Sequence, residues 1–127
     1  MQDLIIALLL PFFFPTLTPI SHTSVVIEGI ASYYSDAGCV GCRDDRIMAN
    51  GEVFDESAMT LAMNDLPLDT SVLVINSSTG ESRRARVTDT GGFSTLGRIA
   101  DLSLGLKEAI NCTDLCEVHI RPLTTSL

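Results

Sequence analysis

From Val25 onward, apolar positions arrive in short β-prone runs separated by turn residues, not in long amphipathic stretches. Residues 25–34 read as a first strand, and residues 39–50, rich in glycine and charge, read as a loop. Residues 71–76 and 82–88 flank Ser77-Ser78-Thr79-Gly80-Glu81, a hairpin signature because glycine accepts the positive φ that such a turn requires. In the second arm Arg84, Arg86 and Thr88 alternate with Ala85 and Val87, so one wet and one packed face are expected. Residues 104–110 carry the one convincing helical pattern, with Asp101 or Ser103 available as N-cap and Asn111 as the stop. Residues 117–121 alternate as a closing strand, ended by Pro122. Many short strands and one short helix suggest a small closed barrel, which removes exposed sheet edges.

The first residues break this pattern. Residues 3–15 form an apolar run of signal-peptide length, too short and too proline-broken to span a bilayer comfortably. We expect an export signal and connector over residues 1–23 and one domain over 24–127, with an uncleaved tether as the alternative and the only membrane contact. At 127 residues the chain has room for a single modest core, and a monomer is expected. Sixteen acids against eight bases give a net charge of -8, with no basic cluster beyond Arg83-Arg84, so nucleic acid is not an expected partner.

Four cysteines stand as two close pairs, Cys39 with Cys42 and Cys112 with Cys116. In an exported chain they read first as two disulfides, of open connectivity. Four thiolates could equally wrap one structural zinc; the disulfide reading leaves no metal or cofactor expected.

Candidate chemistry concentrates in acids at the ends of β-prone runs. Asp89 lies in Thr88-Asp89-Thr90-Gly91-Gly92-Phe93, Asp101 in Ile99-Ala100-Asp101-Leu102-Ser103, and Glu52 and Asp55 in Ala49-Asn50-Gly51-Glu52-Val53-Phe54-Asp55. Carboxylates on strand ends without a histidine cluster point to sugar chemistry before metal or nucleotide chemistry. Each also has a purely structural role to play: Asp89 as a turn cap, Asp101 as a helix cap, Glu52 and Asp55 as solvated loop charges. Tyr33 and Tyr34 alternate across a strand, placing one in the core and leaving the other to stack on a sugar ring. Arg98 is placed to pair with Asp89 or Asp101, and His119 reads as an ordinary strand residue.

These motifs, together with Gly29-Ile30-Ala31-Ser32-Tyr33-Tyr34 and Leu66-Pro67, occur in an order and spacing that resembles rare lipoprotein A (RlpA)-like domains over residues 28–122. The resemblance implies an all-β fold, a six-stranded double-psi β-barrel with one short α-helix, shared with expansin-like and barwin-like domains. It implies peptidoglycan glycan strands as the partner, in the cell envelope or outside the cell. It also implies lytic transglycosylation, in which the β-1,4 bond after N-acetylmuramic acid is cut and a 1,6-anhydro ring closes.

By position, the resemblance makes Asp89 the acid/base and Asp101 the alternative catalytic acid. Glu52, Asp55, Asn50, Tyr34, Phe93 and Arg98 become candidates for substrate binding, with Glu52 and Asp55 expected beside Asp89. Two positions depart from the family pattern: Met63 stands where a histidine is usual, and Thr90 where an arginine is usual. Met63 neither carries a proton nor donates a hydrogen bond. The competing expectation is therefore a non-catalytic, expansin-like module that binds wall polysaccharide. A glycoside hydrolase using two spaced carboxylates is a third.

Overall fold

The computed structural model describes residues 25–38 and 44–123. Six strands close into a barrel: β1 (Ile27–Tyr34), β2 (Thr60–Ala62), β3 (Ser71–Asn76), β4 (Ser82–Asp89), β5 (Arg98–Ser103) and β6 (Cys116–Pro122). Their order around the barrel is β1-β5-β2-β4-β3-β6. The β1–β5 and β2–β4 pairs are parallel and the rest antiparallel. This is the all-β double-psi barrel that the resemblance implies. Closure pairs every strand on both sides, so no edge is left to template aggregation.

The core follows from alternation. Val72 and Val74 of β3, Val87 of β4, Leu61 of β2, Leu102 of β5, and Val118 and Ile120 of β6 are fully buried inside the barrel. The helix α1 (Leu104–Ala109) closes one end by inserting Leu106. Ser103 is its N-cap, with Oγ accepting from Leu106 N at 3.2 Å. Asp101, the other candidate cap, is used elsewhere. Asn111 stops the helix with φ at 55°. The β3–β4 hairpin turns on Gly80, with φ at 79°.

Two strands were not legible from periodicity. β2 has three residues, all buried, too few to show an alternation, and β5 follows the 3-10 turn Phe93–Leu96 directly. The wet face expected of β4 is only partly wet. Arg84 is exposed, but Thr88 is fully buried, its hydroxyl donating to Met48 Sδ at 3.2 Å.

Cys112 and Cys116 form a disulfide that joins the residue after the α1 stop to the start of β6. Sulfurs so bonded are not thiolates, which rules out the four-thiolate zinc site. Cys39, Cys42 and the expected signal segment lie outside the described residues.

Candidate functional site

Strand register builds the site. Ser32 of β1 pairs with Asp101 of β5, Asp101 pairs with Ala62 of β2, and Ala62 pairs with Asp89 of β4. The two aspartates therefore stand in one row across four neighbouring strands, separated by a single alanine. With strands spaced about 4.8 Å apart, their Cα atoms are about 10 Å apart. Leu61 and Leu102, the residues paired one step along β2 and β5, point into the core, so Ala62 and Asp101 face outward. The small methyl of Ala62 leaves a shallow floor between two carboxyl groups.

Asp89 is braced from three directions. Its Oδ1 accepts from Ala49 N at 3.0 Å and from Thr90 N at 2.9 Å, and its carbonyl accepts from Met63 N at 3.0 Å. Among the described residues, Oδ2 has no protein partner. One oxygen is thus held rigidly while the other can exchange a proton with a bound molecule. Asn64 locks the following turn, donating from Nδ2 to Gly91 O at 2.7 Å and accepting from Gly91 N at 3.2 Å. Asp101 receives a hydrogen bond from Ser32 Oγ, its neighbour in the row.

The Ala49 donor is itself held by a tight turn over residues 47–53. Ile47 and Val53 form an antiparallel bridge, Met48 N donates to Glu52 O at 2.8 Å, and Asn50 N donates to Thr88 O at 3.1 Å. Glu52 pins this turn to the barrel through a two-pronged contact with Arg86 of β4, at 2.7 and 2.9 Å. Arg86 also reaches Asp69 at 2.9 Å. The guanidinium holds the Glu52 carboxyl below its ordinary range. Hydrogen bonds from Asn50 and then Arg86 do the same for Asp69.

Beneath the turn, Tyr34, Met48 and Phe54 form a second small core. The Tyr34 and Phe54 rings stack at 4.4 Å, and Arg46 lies over Phe54 at 5.4 Å while pairing with Asp36. Burial first, then the charges of Asp89 and Asp101, drive the Tyr34 phenol far above its ordinary pKa, against a smaller opposing effect of Arg46. The phenol therefore stays protonated, and both aspartates act on it.

The structure redistributes the expected site residues. Asp89 and Asp101 come together; Glu52 and Asp55 do not join them. Glu52 faces Arg86 and Asp69, and the Asp55 carboxylate accepts from Ser57 N at 3.0 Å and Ser57 Oγ at 2.7 Å, a local turn cap that lowers its pKa. Asn50 spends its amide on Asp69 at 2.9 Å and its carbonyl on Glu52 N at 3.0 Å. Tyr34 is the buried tyrosine and Phe54 covers its ring, so it offers no face to a sugar. Tyr33 is the exposed one, and Lys107 sits 4.7 Å from its ring centre. Arg98 stands opposite Ile30 and, among the described residues, makes no ion pair with either aspartate; it lies three residues before Asp101, about 10 Å along the strand. Phe93 opens the 3-10 turn after Asp89.

Ser32, Ala62, Met48 and Asn64 complete the site without having been singled out for it. Ser32 carried one usable signal, its two-residue offset from Tyr34, which puts both on one face. Met63 is fully buried in the core, and its backbone N–H, common to any residue, is what steadies Asp89. Among the described residues no group of three or more His, Cys, Asp or Glu converges as a metal site, and no helix is long and apolar enough to cross a membrane.

Comparison with known proteins places this geometry in context. No family model matches the chain. Curated relatives do. It is 45% identical over 82 residues to the probable endolytic peptidoglycan transglycosylase RlpA of Synechocystis, covering 65% of this chain and 24% of the relative. It is 44% identical over 86 residues to the protein of the same name in Nostoc, covering 67% and 22%. It is 35% identical over 92 residues to the endolytic peptidoglycan transglycosylase RlpA of Yersinia pestis, covering 72% and 24%. The chain thus spans about a quarter of the length of these relatives.

Proposed function

Because the chain belongs to the RlpA-like family, we propose that its barrel is a lytic transglycosylase that cuts the β-1,4 bond between N-acetylmuramic acid and N-acetylglucosamine within peptidoglycan strands. The observation that carries this reading is the outward row Ser32–Asp101–Ala62–Asp89, with Asp89 held through one oxygen and open at the other. Asp89 first protonates the glycosidic oxygen as the bond to C1 breaks. The muramic acid C6 hydroxyl then attacks C1, its proton returns to Asp89, and a 1,6-anhydro ring closes. No water is consumed and the carboxyl group ends as it began. Asp101, with its Ser32 partner, lies one alanine away, where a carboxylate offsets positive charge developing at C1.

A domain over residues 24–127, an exported location and a monomeric state accompany this proposal. The Cys112–Cys116 bond supports export, since disulfides persist in oxidising compartments. A second reading, a binding module without turnover, is favoured by one observation: at the position of the usual histidine, Met63 turns wholly into the core.

Digestion of purified sacculi with the chain, followed by mass spectrometry of soluble products, separates the readings. Anhydro-muropeptides that disappear with Asp89→Asn support the transglycosylase. Reducing-end products would replace it with a hydrolase, and binding without product would leave the module.

A further inference from the structure

We propose that the β4–β3–β6 wall is a docking surface for the carboxylates of peptidoglycan stem peptides, separate from the aspartate row. The proposal rests on the reading that peptidoglycan is the partner. Register again supplies the geometry. Arg84 of β4 pairs with Leu73 of β3, and Leu73 pairs with Arg121 of β6, so two arginines stand in one row across a single apolar residue. Their Cα atoms are about 10 Å apart. Arg84 and Arg121 are exposed and Leu73 is half-buried between them.

What distinguishes these two arginines is that their charged neighbours are satisfied. On one side, Arg86 is held by Glu52 and Asp69. On the other, in the row through Ser82 and Ile75, His119 faces Glu28 at 3.7 Å. Among the described residues, Arg84 and Arg121 have no carboxylate partner. In a chain with sixteen acids and only eight bases, surface acids outnumber cations, and unpaired arginines across one leucine run against that excess.

A guanidinium presents a planar fork of donors that matches a carboxylate, and two forks about 10 Å apart suit an extended peptide with spaced carboxyl groups. The Leu73 side chain between them gives the peptide's aliphatic parts an apolar floor. Uncharged sugar has no need of such a pair, and the aspartate row repels anions, so the two walls divide the polymer by charge. The glycan lies along the acidic row while a neighbouring strand's stem peptides are gripped by the cationic one.

The test is co-sedimentation at low salt with intact sacculi and with sacculi stripped of stem peptides by an amidase. The double variant R84E/R121E is expected to bind intact sacculi about tenfold more weakly than the natural chain. Stripping should weaken the natural chain to the same level and leave the variant unchanged. Equal binding of both proteins to intact sacculi overturns the proposal. So does a variant defect that persists on stripped sacculi, or binding competed by a phosphate polymer or by anionic vesicles and not by stem peptide. Thermal unfolding checks the fold, and R84Q/R121Q replaces the double reversal if that variant unfolds. Release of anhydro product from soluble stripped glycan, expected to be equal for both proteins, is read separately. Its absence with the natural chain would sink the catalytic reading and leave the binding comparison standing.

Discussion

The acids of the barrel row and the acids of the loop that covers it look alike in sequence and differ in what their oxygens are free to do. Asp89 and Asp101 sit on strands, where register sets their separation through Ala62. Glu52 and Asp55 sit in irregular backbone, where each has found a neutralising or capping partner, Arg86 for one and Ser57 for the other. A carboxylate already saturated by the protein has little left for a substrate. Rigid strands therefore carry the proposed chemistry, while the loop acids hold the structure that aims it.

This contrast yields a graded series. Asp89→Asn is expected to cost about 10²–10⁴-fold in anhydro-muropeptide release, the usual range for losing a general acid/base. Asp101→Asn should cost about 10²-fold, less than Asp89→Asn, since it offsets charge and moves no proton. Glu52→Gln weakens the Arg86 clamp, loosens the residue 47–53 turn and misplaces the Ala49 donor, so kcat should fall about tenfold with KM nearly unchanged. Asp55→Asn should leave turnover within about twofold, because the Ser57 cap survives as an amide oxygen. A loss with Asp55→Asn as large as that with Glu52→Gln would erase the distinction between the two loop acids.

Tyr34 sharpens the same contrast through pH. Folding raises its pKa above the ordinary 10.0, so the unfolded chain ionises first as pH rises. The stability this group contributes is complete below pH 10.0 and is lost as pH climbs past it. Denaturant titrations of the natural chain should show a steep alkaline decline that Tyr34→Phe flattens. An unchanged decline would mean that the phenol is not buried beside the aspartates.

Much of the scaffold was legible in local chemistry. Gly80 marked the β3–β4 turn, Ser103 offered a cap for α1, and the alternation around Val118 and Ile120 marked β6. Motif order pointed to Asp89 and Asp101. The partners of the acids were not legible, because they are set by long-range contacts: Glu52 meets Arg86 34 residues away, and Ala49 meets Asp89 40 residues away. Nor does strand alternation alone say which of Tyr33 and Tyr34 turns inward. That depends on Phe54, which arrives from the loop to cover Tyr34. β2 escaped notice because three residues carry no period, yet its Ala62 is the spacer on which the site's geometry depends.

The most direct test of the row as one reacting unit is a double-mutant cycle on anhydro-muropeptide release, using Asp89→Asn, Asp101→Asn and the pair together. Residues acting on one transition state are grossly non-additive, so the double variant should fall no more than about threefold below Asp89→Asn alone. Losses that multiply, as they do at independent sites, would contradict it.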